Sequence, residues 1–284
     1  MNYVSYDRMA TTIRHNLWKI PHDIDLIVGV PRSGMIAALM LAELMNKRVA
    51  DVEMFLRGKM YECGGRGGLM PQTDIRKVLV IDDTVFRGNA MTHVRERLST
   101  ISDMYTILYG CVYTDGPDAK NFVDIYLEDI AGQDGPLLMY EWNIFHHYPD
   151  VMEQTMWDID GLLCKEPPWD SDVKAYEAYL PKALPMVIPT AKVGAIVTYR
   201  LEKYREPTEV WLEKQGIAYN YLFMFPDDDA ARRNNTISPA VFKSRVYKDA
   251  AWANLFYESD GAQARFIAFQ TKKPVFSYED GRVF

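Results

Sequence analysis

Two short stretches bring acidic side chains together at spacings that chemistry can use. In "VLVIDDTVFRGNAM", residues 78–91, an apolar run ends in the adjacent carboxylates Asp82 and Asp83, and Gly88 follows five residues after Asp83. Two carboxylates side by side can accept hydrogen bonds from the neighbouring hydroxyls of a ribose. A turn that opens a helix offers backbone N–H groups that suit a phosphate. Pair and turn together match both parts of a sugar phosphate. In "VGVPRSGM", residues 28–35, another apolar run passes through Pro31, Arg32, Ser33 and Gly34 into a helical pattern. An arginine and free amides at a helix start fit a pyrophosphate. The glycine-rich stretch that follows, at 56–68, carries Arg57, Lys59 and Arg66 and reads as a mobile cover able to neutralise leaving-group charge.

The second acidic stretch is "MWDIDG", residues 156–161. Asp158 and Asp160 stand two apart after an apolar run, and Gly161 turns the chain away. At that spacing one carboxylate can attack a phosphorus while the other handles the proton of the leaving group.

Such residues need strands to hold them, and the pattern supplies strands. Runs at 25–30, 48–55, 77–83 and 104–114 read as strands, with helices predicted over 34–46 and 88–100. Near 150 the alternation restarts. Strands are predicted at 154–161, 193–199, 219–225, 253–260 and 273–278, with a helix capped by Thr208 and another opened by Ser238 and Pro239. Strand–helix alternation implies largely parallel sheets covered by helices, in which ligands collect beyond the carboxyl ends of strands. The fold class expected is α/β in two domains, 1–148 and 151–284, joined by the linker "HHYPDVMEQ" (146–154).

Composition narrows the function classes. The 284 residues are 48% apolar and 25% charged, which is globular, and the net charge of -7 argues against a nucleic-acid binder. Three widely spaced cysteines (Cys63, Cys111, Cys164) give no disulfide framework or zinc pattern and fit a reducing cytoplasm. The amino terminus lacks the apolar core of a signal peptide, and the longest greasy run, 35–45, is too short for a transmembrane segment. Self-association into a homo-oligomer is left open.

The apolar run with Asp82, Asp83 and Gly88, and the "PRSG" loop, resemble the type I phosphoribosyltransferases over residues 24 to about 130. The resemblance implies that Asp82 and Asp83 bind the ribose 2- and 3-hydroxyls of phosphoribosyl pyrophosphate (PRPP). It implies that Thr84, Arg87, Gly88, Asn89 and Ala90 wrap the 5-phosphate, that Arg32, Ser33 and Gly34 hold the pyrophosphate, and that Mg2+ rides on the pyrophosphate. Arg87 and Ala90 depart from the family pattern, which has Thr or Ser at both places; Arg87 can replace a hydroxyl by a charge-assisted contact.

The Asp158-x-Asp160-Gly161 motif resembles motif I of the haloacid dehalogenase (HAD) superfamily of phosphatases. That resemblance implies Thr198 as the phosphoryl-binding hydroxyl and Lys243 (rather than Lys248) as the charge-balancing lysine. It implies Mg2+ held by Asp158, Asp160, Glu258 and Asp260. Roughly 30 residues separate Gly161 from the next strand, so the domain is expected to be capless, with a flap of one short helix.

An acceptor for the ribosyl group is less sharply written. In this family a variable hood selects it, and the amino-terminal segment and 137–149 are the candidates; Asp115, Glu141, Trp142 and Asn143 are the expected contacts, with Asp115 or Glu141 as general base. Aromatics as dense as those of 140–148 can equally form a core between domains. A PRPP-dependent site joined to a phosphatase resembles bifunctional bacterial proteins that place ribofuranose on glycans. The implied function is transfer of 5-phosphoribosyl to a glycan or lipid-linked glycan hydroxyl, then removal of the phosphate to leave a β-ribofuranosyl group. Two alternatives stand beside it. One is a nucleobase phosphoribosyltransferase coupled to a nucleotidase; the other is a PRPP-sensing binding protein.

Overall fold

A computed structural model describes residues 2–61, 74–133, 138–167, 173–226 and 237–284. The chain divides into two compact units, Asn2–Leu138 and Met139–Phe284. The segment 146–154, read from sequence as a linker, carries the short helix α5 (Pro149–Met152) within the second unit.

In the first unit the elements run α1 (Tyr6–Asn16), β1 (Leu26–Gly29), α2 (Gly34–Met45), β2 (Arg48–Asp51), α3 (Val52–Leu56), β3 (Lys77–Val85), α4 (Asn89–Leu98), β4 (Thr106–Thr114) and β5 (Ile125–Asp129). The sheet order is β2-β1-β3-β4-β5, and every pair is parallel. Alternation along the strands selects the packing: Leu26, Val28, Val78 and Val80 face one way and meet Phe55, Met91, Val94 and Leu98 from α3 and α4 in one buried cluster. Each such side chain contributes about 1.5–3 kcal/mol of apolar burial.

Three expectations change here. Residues 48–55 are not one strand, because Asp51 ends β2 and caps α3, its Oδ1 accepting the Met54 N–H at 2.8 Å. A carboxylate at an N-cap satisfies an orphan helix donor, and that outweighs the β-propensity of the run. The amino-terminal segment forms α1, which lies on the sheet. Arg8 pairs with Glu128 of β5 at 3.1 Å and Thr12 donates to the same carboxylate at 2.8 Å. Strand β5 was not anticipated.

The second unit contains α5, β6 (Thr155–Trp157), α6 (Val173–Tyr179), β7 (Val193–Leu201), α7 (Arg205–Lys214), β8 (Tyr219–Phe225), α8 (Pro239–Asp249), β9 (Leu255–Glu258), α9 (Gly261–Thr271), β10 (Val275–Ser277) and β11 (Arg282–Val283). The order is β8-β7-β6-β9-β10-β11, parallel except for β11. The strand that leads into Asp158 is therefore central. Helix α8 starts as expected, with Ser238 Oγ accepting the Val241 N–H. Thr208 is not a cap, since α7 begins at Arg205 and carries Thr208 buried inside it. Helix α9 was not anticipated.

Candidate active sites

Strand lengths open the first site. Strand β1 ends with Gly29 opposite Ile81, while β3 continues through Asp82, Asp83 and Thr84 to Val85 against β4. The acids are thus inside a strand that outruns its neighbour, not in the turn after it. In the space left beyond β1, Val30 N–H donates to Ile81 O at 2.9 Å and the chain turns through Pro31–Gly34, with the Pro31–Arg32 peptide cis. Ser33 Oγ donates to Asp83 Oδ1 at 2.8 Å. A side chain at Gly34 would begin 2.7 Å from Asp82 Oδ1 and 2.9 Å from both Asp82 Cα and Ile81 O, so only glycine permits this approach. The PRSG loop and the acidic pair are interlocked.

Asp82 and Asp83 are each 7% exposed, and Asp82 Oδ1 accepts the Asp83 N–H at 2.9 Å. Burial, and next the charge of Asp83, push the Asp82 carboxyl well above the usual carboxylate range. Cys111, opposite Asp82 in β4, has its thiol pushed up by burial and then by Asp82. Hydroxyl donors delivered to this pair would relieve it. Thr84 Oγ1 is buried without a hydrogen-bond partner among the described residues, which fits a contact still to be made. Beyond Val85, Phe86, Arg87, Asn89 and Ala90 are exposed, the Arg87 guanidinium stands 5.5 Å from the Phe86 ring centroid, and Gly88 (φ 72°) starts α4. Arg32 and Lys59 are exposed; Arg57 pairs with Glu53 at 3.7 Å, and Arg66 lies outside the described residues. Asp115 follows β4 directly, its N–H donating to Val85 O at 3.0 Å. Burial, then Asp129, raises its carboxyl.

Of the other acceptor candidates, Glu141, Trp142 and Asn143 form one 3-10 turn of the second unit. Trp142 stacks on Tyr140 at 4.8 Å. Phe145 packs among Phe276, Trp157 and Tyr257 at 5.7–6.1 Å, as part of that unit's own core.

In the second unit, register brings three strand ends level. Trp157 is opposite Ile196 of β7 and Tyr257 of β9, so Asp158 sits beside Glu258 on one side, with Thr198 two residues beyond Ile196 on the other. Lys243 reaches them from α8, its Nζ donating to Asp158 Oδ2 and Glu258 Oε2 at 2.8 Å each. All three are nearly inaccessible, at 3%, 3% and 0% exposed for Asp158, Lys243 and Glu258. Burial and then Glu258 raise the Asp158 carboxyl. For Lys243 burial works against the ammonium, but the two carboxylates outweigh it and hold it protonated above its ordinary value. Lys248 is exposed. Thr198 is 1% exposed, and its Oγ1 accepts the Arg200 N–H at 3.2 Å.

Asp160 and Asp260 have partners that sequence did not foretell. Arg200 holds Asp160 with two prongs, Nε to Oδ2 at 3.0 Å and an amino group to Oδ1 at 2.6 Å. Asp260 is the N-cap of α9, Oδ1 accepting the Gln263 N–H at 2.8 Å. The four acids expected around magnesium therefore do not form a ring: Lys243 fills the space between Asp158 and Glu258, and the other two face Arg200 and a helix end. Among the described residues no group of three or more acid, histidine or cysteine side chains is placed to hold a metal ion.

Comparison with known proteins gives the chain a family. No family model matches the chain. Over 135 residues it is 31% identical to the xanthine-guanine phosphoribosyltransferase of Chromohalobacter salexigens, a match spanning 45% of this chain and 76% of that protein. The chain belongs to the phosphoribosyltransferases. Among solved structures, the Helicobacter pylori xanthine-guanine-hypoxanthine phosphoribosyltransferase is similar over 50% of this chain and 93% of its own, with 17% identity and a TM-score of 0.38. A chain of the Pnkp1/Rnl/Hen1 RNA repair complex is similar over 97% of this chain and 94% of its own, with 14% identity and a TM-score of 0.36.

Two residues of this phosphoribosyltransferase escaped the sequence reading. Arg200 lies two positions after Thr198, on the same side of β7, and an arginine closing a buried run is a readable signal that it needs a carboxylate. Glu166, in the segment after Gly161, has no such signature; only folding returns it to the second site. No helix among the described residues is long and apolar enough to cross a membrane.

Proposed function

We propose that the chain catalyses two consecutive reactions, transfer of 5-phosphoribosyl from PRPP and hydrolysis of the 5-phosphate from the product. The observation behind this reading is that one chain carries two buried polar centres at the carboxyl ends of the strands of two largely parallel sheets. They are the Ser33–Asp83 interlock and the Asp158 carboxylate clasped by Lys243. In the first reaction Asp82 and Asp83 accept the ribose hydroxyls, the first turn of α4 takes the 5-phosphate, and Arg32 and Ser33 face the pyrophosphate. Magnesium bound to that pyrophosphate would offset its charge. In-line attack on the α-configured donor inverts the anomeric carbon, so the product is a β-ribofuranoside. Asp115, with its raised proton affinity, is the base assigned to an acceptor hydroxyl.

In the second reaction Asp158 attacks the phosphorus and Thr198 binds the transferred phosphoryl group. Lys243 offsets the charge of nucleophile and phosphate. The central position of β6, between the strands of Thr198 and Glu258, supports this HAD-like reading.

A dephosphorylating partner is useless to nucleotide salvage, which is why a glycan hydroxyl is the acceptor favoured here. The relative named for xanthine and guanine favours a second reading, a purine acceptor with a nucleoside as final product. The test is incubation with magnesium, PRPP and a panel of sugars and purine bases, followed by mass. Gain of a pentosyl unit on a sugar supports the first reading and gain on a base the second; no pyrophosphate release with any acceptor refutes both. Asp158→Asn should make the phosphorylated product accumulate, and normal dephosphorylation by that variant would refute the second reaction.

A further inference from the structure

We propose that Glu166, and not Asp160, protonates the leaving oxygen when the second unit removes a phosphate. The inference rests on the phosphatase reading above and assigns a catalytic role inside it.

Asp160 is already engaged on both oxygens. Both of its oxygens face Arg200, which is 2% exposed and anchored further by Thr208 Oγ1 at 3.4 Å and Cys164 Sγ at 3.4 Å. Protonating Asp160 would forfeit a two-pronged, charge-assisted contact and strand a guanidinium in the interior. Asp160 is therefore a positioning residue, fixing the turn that follows Asp158.

Glu166 is placed to act instead. The chain doubles back after Asp160, with Gly161 N–H donating to Cys164 O at 2.8 Å, and this returns Glu166 to the start of its own loop. Glu166 Oε1 lies 2.7 Å from the point where a Gly161 side chain would begin, and Ser259 Oγ lies 3.0 Å from that same point. Ser259 Oγ in turn donates to Asp158 Oδ2 at 3.1 Å. Glu166 Oε1 and Ser259 Oγ thus converge on the Gly161 turn that follows the nucleophile, and Ser259 links that point to Asp158. Among the described residues it has no hydrogen bond or ion pair.

Its surroundings hold the proton there. Glu166 is exposed, but partial desolvation of its carboxyl acts first, then the charges of Asp160 and Asp158; with Asp260 these outweigh the opposing Lys243 and bring Glu166 to about 7. The acid form is therefore present below neutrality and is lost as pH rises through that value.

The step balances as follows. An Asp158 oxygen forms a bond to phosphorus while the bond from phosphorus to the ester oxygen breaks. The electron pair stays on that oxygen, which takes the Glu166 proton and leaves as an alcohol. Water then attacks the aspartyl phosphate, giving one proton to the Glu166 carboxylate. Inorganic phosphate departs, and Asp158 and protonated Glu166 are restored.

The experiment compares two monoesters on the full chain: ribose 5-phosphate, whose alkoxide must be protonated, and 4-nitrophenyl phosphate, whose phenolate leaves unaided. Asp158→Asn serves as the control for the phosphatase reading itself; full activity in that variant would refute the reading and, with it, this inference. With that control silent, Glu166→Gln should lower kcat for ribose 5-phosphate by about 10²- to 10⁴-fold, the usual worth of a general acid, and abolish the loss of rate above neutral pH. Its activity on 4-nitrophenyl phosphate should stay within about tenfold of the parent's, as expected when no proton transfer is needed. Equal losses on both esters, or no loss on either, would overturn the assignment. So would a selective loss in Asp160→Asn in place of Glu166→Gln.

Discussion

Replacing Lys243 by methionine removes one ammonium and leaves two carboxylates, and the structure sets the size and pH dependence of the damage. Lys243 Nζ lies 2.8 Å from both Asp158 and Glu258, in a site where none of the three is more than 3% exposed. Breaking a buried pair from one side costs about 3–5 kcal/mol, because the remaining charge has neither water nor partner. Here two charges remain, and they already repel: Glu258 raises Asp158 even with Lys243 in place. In Lys243→Met the folded state will keep a proton that the unfolded chain releases. Stability must then fall as pH rises, from the ordinary carboxylate range near 4 up to the raised value, by at most about 1.4 kcal/mol per pH unit for one proton. The variant should approach the parent near pH 5 and lose the full 3–5 kcal/mol at pH 8. Urea unfolding at the two pH values measures the total, and hydrogen exchange of the β6 and β9 amides assigns it to this site. A loss below about 1 kcal/mol at pH 8, or the same loss at pH 5, would refute the argument that Lys243 holds two ionised acids.

Other substitutions test the remaining contacts. Gly34→Ala puts a methyl against Asp82 Cα and Ile81 O, backbone atoms that cannot step aside; about 1–3 kcal/mol of overpacking and loss of PRPP binding should appear in denaturation and calorimetry. The Asp82→Asn, Asp83→Asn double variant should lose PRPP-dependent transfer yet keep hydrolysis of a supplied phosphoribosyl ester, since an amide accepts the ribose hydroxyls only in part. Arg200→Lys keeps the charge but reaches one oxygen of Asp160, so ester hydrolysis should drop by roughly 10- to 150-fold, one charged hydrogen bond's worth of about 1.5–3 kcal/mol.

Position was more legible in the sequence than partnership. Apolar runs that stop at acids announce strands delivering carboxylates, and Asp82, Asp83, Asp158 and Glu258 are all found that way because a strand's period is local. Lys243 followed from its place early in a helix. What could not be read is which charge meets which, since Arg200 and Asp160 are forty residues apart and meet only through the β6–β7 register. Two misreadings shared one cause. The apolar pattern puts Asp51 inside a strand and Asp260 at the tail of one, when each is the first residue outside a helix; the cap signal lies in the N–H three residues on, which a strand pattern hides. The missed α9 has apolar residues all round, so it lacks the one-sided stripe by which helices are recognised.

The cap on α9 also changes how a mutational screen of this protein would read. Position 260 sits where an acid is expected for chemistry, next to Glu258, and a screen of alanine substitutions would score it as important, because an Asp N-cap is worth about 0.5–2 kcal/mol over Ala. The full tolerance profile tells a different story. Asn and Ser cap nearly as well as Asp, so both should pass the screen at 260, whereas neither should pass at 158, where the oxygen itself must attack. Two acids 102 positions apart in the sequence would then separate by genetics alone: one demanding a carboxylate, the other asking only for a short side chain with an oxygen to offer an amide.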